Sequence, residues 1–536
     1  MGINQFQNRP LVLIILDGWG LSPSWGGNAL AMNNPKNINN FWRDYPHAVL
    51  QALSVLSQDA PVGDSHLGHT MIGAGRPVES NYSRITKEIK KRTFYKNDAL
   101  LGAINWAKRN QNNLHLIGMI SDGGIHSHTK HLHALLELCN QEGFSRVFVN
   151  AITDGTDSGP TDALLYIDKI QAKMNEQKIG CFNSVGGRHF AMDRDGNWDN
   201  IRKYYDALTS EKSPAFNTIQ EAISTNYRQG INDEYIMPAL IKNNKRVTTI
   251  KHGDAIVFFN FREDRGRELT QIFVDKSFKK FGWKPIRLND LYFVTFIDFQ
   301  RNLPAKVAFP EKNEHNTFGE ILAKANYHQL IVAESEKYAH VTYFFNGGNE
   351  NPFPGEERKI ISSPQAKGFD KIPEMSAKKV ADAVIKAIRS RHYDFILVNF
   401  ANVDMVAHTG NIIAVGQAAL ILDELVAKIV QENLAQQGAT IITADHGNAE
   451  QMINLNKEFD RSKENVHTLN PVPFILIKRD NKKNLLQSAI TAPDNTLSKI
   501  IQAKDTIADI APTILELLSL PKPPEMTGRS LLGRLE

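Results

Sequence analysis

Three short apolar stretches of the sequence are each followed by an aspartate. The acids are Asp17 after LVLIIL, Asp404 after FILVNFANV and Asp445 after ATIITA. Apolar runs of this length predict buried strands of a parallel sheet, and the ligands of such sheets collect at the carboxyl ends of the strands. We therefore expect the three carboxylates to meet at one sheet edge.

Three histidines stand close to these acids in the sequence. His408 follows Asp404 by four positions, so the two share one face of a helical turn. His446 is adjacent to Asp445, and His467 follows in NVHTLNPVPF. Each residue alone is explained as well by a cap or a turn, but all six at strand ends favour a divalent metal site without thiolates. Two metal ions would bind both the attacking and the leaving oxygen of a phosphoryl transfer.

A single serine, Ser65, lies in the stretch PVGDSHLGHTMIGAGR at residues 61–76. A serine hydroxyl is a weak nucleophile unless a base or a metal helps to remove its proton, and the spacing here is not the G-x-S-x-G of hydrolases. Alone, the stretch predicts a glycine-broken turn. If it reaches the sheet edge, a bound cation would stabilise the Ser65 alkoxide, and Gly63 and Gly68 would permit close approach of the backbone.

Four arginines lie in two motifs in the middle of the chain. GGRHFAMDRDGNW contains Arg188 and Arg194, and FFNFREDRGREL contains Arg262 and Arg265. The planar guanidinium suits bidentate contact with phosphate or carboxylate, which predicts a small, doubly anionic substrate. Surface ion pairs worth about 0–1 kcal/mol each explain these two segments equally well.

The stretch SDGGIHSHTKHLH at residues 121–133 holds four histidines. A zinc cluster is one alternative. We favour a glycine-rich loop that opens a helix and turns His126 toward a site, where an imidazole can serve as acid, base or phosphate contact. Lys337, in AESEKYAHVTYFF, is a further candidate for a phosphate contact, although a lone lysine is more often solvated surface.

The elements that must position these residues follow a β-α-β pattern. SAKKVADAVIKAIRS at 376–390 predicts a helix with Ser376 as its N-cap, and the strand DFILVNFANVD follows. A periodic helix over about 412–434 then leads to the strand ATIITADH. The predicted fold class is therefore α/β, with mostly parallel sheets covered on both faces.

The length of the chain, 536 residues, predicts at least two domains. Strand-like and helix-like segments also alternate between residues 80 and 313, which predicts a second α/β domain there. We expect it to be inserted into a first domain formed by residues 1–79 and 314–536, with AFPEKNEHN at 308–316 as the exit linker.

The composition excludes several classes of protein. With 62 basic and 58 acidic residues, the net charge of +4 gives no reason to expect a nucleic-acid or membrane partner. Two distant cysteines, Cys139 and Cys181, exclude a disulfide framework and fit a reducing compartment. The run LVLIIL is too short to span a bilayer. We expect a soluble cytoplasmic protein, and nothing in the sequence demands more than a monomer.

Several long motifs together resemble the cofactor-independent phosphoglycerate mutases of the alkaline-phosphatase superfamily. They run through nearly the whole chain: ILDGWG, GDSHLGH, TMIGAGR, SDGGIHSH, GGRHFAMDRDGNWDNIRKYYDAL, VFFNFREDRGREL, AESEKYAHVTYFFNGG, NFANVDMVAHTGN, TADHGNAE and HTLNPVPF. The resemblance implies a phosphatase-like metal-binding domain formed by both chain ends and an inserted phosphotransferase domain. It also implies interconversion of 3-phosphoglycerate and 2-phosphoglycerate in glycolysis and gluconeogenesis through a phosphoserine, without 2,3-bisphosphoglycerate.

The same resemblance implies roles for individual residues. Ser65 takes the place of the nucleophile, and Lys337 belongs to the catalytic and substrate-binding residues. Two divalent ions, expected to be manganese, would be bound, the first by Asp404, His408 and His467, and the second by Asp17, Ser65, Asp445 and His446. The substrate-binding positions would be His126, Asp157, Arg188, Arg194, Arg262, Arg265 and Lys337. Domain closure would exclude water while the glycerate turns.

Two motifs depart from the family pattern. GDSHLGH carries Asp64 and His66 where the family has asparagine and glutamate, and DGTD carries Thr156 where a substrate-binding arginine is expected. Loss of one charge-assisted hydrogen bond costs roughly 1.5–3 kcal/mol. A mutase or phosphatase for another small phosphate ester is therefore an alternative. A silenced, metal-binding relative is a third hypothesis, against which the intact Ser65 and the six ligand candidates argue.

Overall fold

The computed structural model describes residues 9–23, 27–52, 63–193, 196–263, 265–279, 285–300, 302–366, 368–453, 467–483 and 504–535. Within these ranges the chain forms two eight-stranded sheets and the helices that flank them. Most strand pairs are parallel, so the predicted α/β fold class is confirmed. None of the described helices combines the length and the apolar character needed to cross a membrane.

The strands are short and, in the centre of each sheet, completely buried, as expected for apolar runs in a sheet covered on both faces. In chain order they are β1 Leu11–Leu16, β2 His47–Gln51, β3 Leu114–Met119, β4 Val147–Thr153, β5 Cys181–Gly187, β6 Ala215–Phe216, β7 Ala239–Ile241, β8 Ala255–Phe258, β9 Tyr292–Thr295, β10 Lys306–Val307, β11 Gln329–Glu334, β12 Glu356–Ile361, β13 Phe395–Phe400, β14 Ala439–Thr443, β15 Val472–Ile477 and β16 Asp505–Thr506.

The helices lie mostly between strands. In chain order they are α1 Ala29–Asn33, α2 Lys36–Asp44, α3 Ser65–Ala74, α4 Asn81–Lys90, α5 Asp98–Arg109, α6 Thr129–Gln141, α7 Ala163–Gln177, α8 Arg188–Ala191, α9 Trp198–Thr209, α10 Ile219–Arg228, α11 Arg267–Val274, α12 Phe318–Lys324, α13 Ala377–Ser390, α14 Asn402–Ala407, α15 Ile412–Ala435 and α16 Ile510–Leu517. Two short turns matter for the site: a 3₁₀ turn at Ser335–Lys337 and a π-helical turn at His340–Phe344.

The chain divides into two compact units. Unit 1 contains Met1–Gln58, Val62–Glu79 and Lys312–Glu536, and unit 2 contains Asp59–Pro61 and Ser80–Glu311. Each unit holds one of the sheets and its own apolar core. The assignment of a phosphatase-like domain to residues 1–79 and 314–536, and of a phosphotransferase domain to 80–313, stays a prediction.

The sheet of unit 1 has the strand order β12-β11-β13-β1-β14-β15-β2-β16. β1 is parallel to β13 on one side and to β14 on the other, so the predicted β-α-β unit crosses over β1. β15 is antiparallel to both of its neighbours. The predicted helices are confirmed as α13, preceded by Ser376 as N-cap, and α15, where Asn411 accepts a hydrogen bond from the Ala414 N–H.

The sheet of unit 2 has the strand order β10-β9-β8-β3-β4-β5-β7-β6. Its strands β3, β4, β8 and β9 and its helices α6 and α7 alternate within residues 80–313, as the sequence predicted for this part of the chain. All neighbouring strands in this sheet are parallel except the pair β5 and β7. The carboxyl ends of its central strands therefore point the same way.

Candidate active site

The three aspartates at the strand ends of unit 1 lie close together. Asp17 directly follows β1, Asp404 is the third residue of α14 after β13, and Asp445 stands two residues beyond β14. Because β1 runs parallel to and in register with β13 and β14, these ends fall at one edge of the sheet. All three residues are at most 1% exposed.

Ser65 begins a helix instead of lying in a loop, so the predicted turn is wrong. Asp64 is the N-cap of α3, and its side chain accepts a hydrogen bond from the Leu67 N–H at 3.1 Å. Ser65 Oγ lies 2.7 Å from His446 Nε2, at hydrogen-bond distance. Since the first N–H groups of a helix have no intrahelical partner, this position favours negative charge on the serine.

The two glycines singled out in the sequence permit the close approach expected of them. A Cβ at Gly68 would lie 2.7 Å from the carbonyl oxygen of Asp445, and one at Gly63 would lie 2.7 Å from that of Thr468. Distances this short exclude any larger residue unless the backbone moves. The helix that begins at Ser65 can therefore pack directly on the loop that carries Asp445.

Lys337 is the cation at the centre of this cluster. Its Nζ donates hydrogen bonds to Asp17 Oδ1 and Asp404 Oδ2, both at 2.7 Å, and to Ser65 Oγ at 3.2 Å. The side chain is 4% exposed. Burial alone would lower the pKa of Lys337, but Asp17 and Asp404 outweigh it and raise the pKa, so the ammonium form persists.

Two groups of side chains in unit 1 have the geometry of a metal site. The ligand atoms within each group lie within 4.8 Å of one another, and the groups are Asp404, His446 and His467, and Asp17, His69 and Asp445. His408 is close to the first group, with its Nε2 3.5 Å from Asp404 Oδ2 and 3.1 Å from His467 Nε2. His446 also lies 3.6 Å from Asp17 and 3.4 Å from Asp445. The division of ligands between two ions stays a prediction.

The charges of this cluster are those of a cation site. Burial, and then the Asp445 carboxylate, raise the pKa of Asp17 above its ordinary value. Burial also acts to raise the pKa of Asp404, but Lys337, His408 and His467 together outweigh it, so the pKa of Asp404 lies well below its ordinary value. Burial lowers the pKa of His467 to about 4, so its imidazole is neutral at pH 7. Three buried acidic side chains lie around one ammonium, and their oxygen atoms and the nearby imidazoles are donors that fit divalent cations.

Two residues of this site were missed by the sequence analysis, His69 and Asn399. His69 Nδ1 lies 2.8 Å from the Ser65 carbonyl oxygen and 3.3 Å from Asp445 Oδ2. The side chains of His69 and Asp445 are fully buried. Asn399 Nδ2 donates to Asp17 Oδ2 at 2.8 Å and lies 3.0 Å from His69 Nε2. A signal for His69 was its position four residues after Ser65, which places both on one face of a helix.

Unit 2 contains a second buried cluster, centred on Arg188. Arg188 Nη1 donates to Asp154 Oδ1 at 2.8 Å and lies 2.9 Å from Asp157 Oδ2, while Nη2 lies 3.0 Å from His126 Nε2. Arg188 is 5% exposed, so the alternative of a surface ion pair does not hold for it. Asp154, which the sequence analysis did not single out, also accepts hydrogen bonds from the N–H groups of Thr156 and Asp157.

The other predicted substrate residues of unit 2 are three arginines. Arg262 lowers the pKa of Asp157, although burial is the larger influence on this carboxyl and raises its pKa. Arg265 Nη1 donates to the Met192 carbonyl at 3.0 Å. Arg194 lies outside the described residues.

The histidines of residues 121–133 do not form a zinc cluster. His128 caps α6 by accepting a hydrogen bond from the Lys130 N–H, and burial lowers its pKa to about 4. His131 lies 3.0 Å from Thr86 Oγ1, and burial lowers its pKa to about 3. In the part of the chain that the structure describes, the groups with metal-site geometry lie in unit 1. These two histidines are neutral packing residues of unit 2.

A buried serine beside carboxylates, imidazoles and a lysine, at the carboxyl edge of a mostly parallel sheet, is typical of a metal-dependent α/β enzyme that forms a covalent serine intermediate. The comparisons with known proteins agree with this class of enzyme and indicate one family within it. A family model described as "BPG-independent PGAM N-terminus" matches residues 85–301. The chain is 42% identical over 528 residues to the 2,3-bisphosphoglycerate-independent phosphoglycerate mutase of Moorella thermoacetica, covering 98% of each chain.

Two further relatives give the same result. The enzyme of the same name from Picosynechococcus is 40% identical over 526 residues, covering 98% of this chain and 97% of the relative. A crystal structure of Leishmania mexicana phosphoglycerate mutase at low cobalt concentration superposes with a TM-score of 0.79 and 26% identity, covering 97% of each chain. The chain therefore belongs to the family of 2,3-bisphosphoglycerate-independent phosphoglycerate mutases.

Proposed function

We propose that this protein interconverts 3-phosphoglycerate and 2-phosphoglycerate through a phosphoserine at Ser65. The observation that carries the proposal is the surroundings of Ser65 Oγ, which lies 2.7 Å from His446 Nε2 and 3.2 Å from Lys337 Nζ. Membership of the mutase family supports the substrate. No bisphosphoglycerate is needed, because the enzyme itself holds the phosphoryl group between the two steps.

The proposed reaction consists of two displacements at phosphorus. In the first, Ser65 Oγ loses its proton and forms a bond to phosphorus while the bond from phosphorus to the C3 oxygen breaks, and the C3 oxygen takes up a proton. In the second, the C2 oxygen loses its proton and bonds to phosphorus while the bond from phosphorus to Ser65 Oγ breaks, and Ser65 Oγ takes up a proton again. Lys337 is an ammonium beside the reacting oxygen and stabilises the negative charge that develops there.

Two divalent ions fit the donors around Ser65, and we propose manganese as the metal. One would be bound by Asp404, His408 and His467, and the other by Asp17, Ser65, Asp445 and His446. When bound, such ions lower the pKa of a serine hydroxyl and neutralise phosphoryl oxygens. His69 lies within the second set in the structure, and its contacts to Ser65 and Asp445 support a role in orienting that set.

The residues of unit 2 are proposed to bind the glycerate part of the substrate. Arg188 supports this, because Asp154 and Asp157 fix the plane of its guanidinium in a buried position. Holding the glycerate between the two displacements prevents hydrolysis of the phosphoserine. The proposed substrate contacts are His126, Asp157, Arg188, Arg194, Arg262, Arg265 and Lys337.

The proposed setting is cytoplasmic glycolysis and gluconeogenesis. Both cysteines, Cys139 and Cys181, are free thiols, which supports a reducing compartment. Every group that the proposed reaction uses comes from a single chain, so we propose a monomer as sufficient for activity.

The test is an enolase-coupled assay of the purified protein with 3-phosphoglycerate and manganese, without 2,3-bisphosphoglycerate. We expect turnover that stops when a chelator removes the metal and resumes when manganese is returned. A protein that binds two metal ions and forms no 2-phosphoglycerate would refute the proposal.

Thr156 favours one second candidate, a mutase or phosphatase for another small phosphate ester. Thr156 is exposed and its N–H donates to Asp154. Its hydroxyl side chain is uncharged, so it cannot supply the bidentate, charged contact of the arginine that the family pattern carries there. A panel of phosphorylated three- to five-carbon acids and sugars separates the two candidates. A substrate turned over faster than phosphoglycerate at equal concentration would favour the second.

A further inference from the structure

Glu450 is a fully buried carboxylate that accepts four hydrogen bonds. Its Oε2 accepts from the N–H of Gly20 at 3.1 Å and the N–H of Asn448 at 2.8 Å. Its Oε1 accepts from Asn470 Nδ2 at 2.9 Å and from the Thr468 hydroxyl. Its exposed fraction is 0%. A carboxylate bonded by four neutral donors is stable when buried, so Glu450 itself needs no cation.

Each of these donors belongs to a segment that carries a proposed metal ligand. Gly20 stands three residues after Asp17, and Thr468 directly follows His467. Asn448 stands two residues after His446, and its Nδ2 donates to Asp404 Oδ1 at 2.8 Å. Glu450 thus connects three ligand-bearing segments directly and reaches a fourth through Asn448.

The backbone around Glu450 is closed tightly on its carboxylate. A Cβ at Gly20 would overlap the carboxyl group of Glu450, so a larger residue at this approach would require the Glu450 side chain to shift. The Thr468 N–H donates to the Gly447 carbonyl at 2.8 Å, which joins the His446 and His467 segments a second time. The position of the Glu450 side chain therefore determines how far apart these segments lie.

We propose that Glu450 is a positioning residue, which holds the candidate ligands Asp17, His446 and His467 at the spacing that two divalent ions require. The inference rests on the proposed two-metal site of the mutase reaction. Residues that orient metal ligands in this way affect metal affinity or activity by roughly ten- to hundredfold when they are replaced. Glu450 touches neither the reacting serine nor Lys337 in the hydrogen bonds described, so its effect must pass through the ligands.

The test measures cobalt binding, because Co²⁺ has a visible absorption spectrum that reports the geometry of its ligands. The variant is Glu450→Gln, which keeps the shape of the side chain. The amide oxygen can still face the two backbone N–H groups, while its NH₂ group faces Thr468 and Asn470, which must reorient. We expect Co²⁺ affinity to fall roughly ten- to hundredfold, with an altered absorption spectrum and an unchanged far-ultraviolet circular dichroism spectrum.

A matched control comes from Asp423 in α15. It is 4% exposed and accepts hydrogen bonds from the N–H groups of Asn37 and Ile38 and from Asn37 Nδ2, all in α2. Asp423→Asn also weakens a buried, multiply bonded carboxylate of unit 1, but its partners carry no proposed ligand. We expect it to lower stability while Co²⁺ affinity and the spectrum stay as in the unaltered protein.

Two results would overturn the proposal: a Glu450→Gln protein that binds Co²⁺ as tightly as the unaltered protein, or an equal loss of affinity in Asp423→Asn. If Glu450→Gln does not fold, the same measurement is made on Thr468→Val, which removes one hydrogen-bond donor to Glu450 and keeps His467. An unchanged Co²⁺ affinity in that variant contradicts the positioning role. Failure of the proposed mutase activity is recognised separately, because it would leave the unaltered protein binding Co²⁺ without forming 2-phosphoglycerate.

Discussion

Replacing Lys337 by methionine removes the ammonium that lies between Asp17 and Asp404 while nearly preserving the volume of the side chain. Both carboxylates lie 2.7 Å from Nζ, and all three groups are buried. Removing one partner of a buried ion pair costs about 3–5 kcal/mol, because the other charge stays without compensation. Asn399 and Asn448 still donate hydrogen bonds to the two carboxylates. We therefore expect the free energy of unfolding to fall by an amount within that range and not by twice as much.

The same substitution should have opposite effects on metal binding and on turnover. Without the ammonium, the carboxylates attract divalent cations more strongly, so Mn²⁺ should bind Lys337→Met at least as tightly as the unaltered protein and restore more of its stability. Turnover should nevertheless fall at least ten- to hundredfold, which corresponds to the roughly 1.5–3 kcal/mol of one lost charge-assisted hydrogen bond at Ser65 Oγ.

The assay is urea denaturation with chelator and with Mn²⁺, following the transition that responds to the metal, together with the enolase-coupled rate. Lys378→Met is the control, since Lys378 forms an exposed pair with Asp382 in the same unit and should change stability by at most about 1 kcal/mol. The reasoning is refuted if metal-free Lys337→Met unfolds at the same urea concentration as the control, or if Mn²⁺ stabilises it less than the unaltered protein.

Three further predictions concern other residues. Ser65→Ala should abolish turnover while circular dichroism shows a folded protein, and retained activity would exclude the phosphoserine. Thr156→Arg should lower the Michaelis constant for 3-phosphoglycerate up to about tenfold, and an unchanged value would show that other groups replace the family arginine. Burial raises the pKa of Glu334 to about 7 from its ordinary 4.5, so the folded state retains a proton that the unfolded state releases. Stability should therefore fall by at most about 3 kcal/mol between pH 4.5 and pH 7, and Glu334→Gln, compared by urea denaturation at both pH values, should remove that loss.

The strands and their terminal acids could be predicted because both signals are local. An apolar run such as that of β1 must be buried, and the aspartate that ends it falls at the sheet edge whatever its partners are. Residues such as His69, Asn399 and Glu450 could not be found in this way. Their roles depend on donors and acceptors hundreds of residues away in the chain, as in the pair of Gly20 and Glu450.

The wrong expectation at Ser65 has a similar physical cause. Gly68 and Gly73 lower the helix propensity of α3, so the local pattern indicates a turn. The structure shows why glycine is needed in this helix: a Cβ at Gly73 would overlap the carbonyl oxygen of Phe345, directly after the π-helical turn. Tertiary packing therefore overrides the low helix propensity of this segment. The glycines that lower the propensity are also the residues that let α3 approach its neighbours closely.

This packing also explains how His66 can replace the glutamate of the family pattern. Lys337 precedes the π-helical turn His340–Phe344, and Ser65 begins α3, which packs against that turn. The ring of His66 stacks on Phe344 with centroids 3.7 Å apart and an angle of 26° between the rings. The His66 imidazole thus links α3, which begins at Ser65, to the π-helical turn that follows Lys337. The contact is made by ring stacking. The departure at position 66 is therefore compatible with the family chemistry, since Ser65 and Lys337 remain in contact.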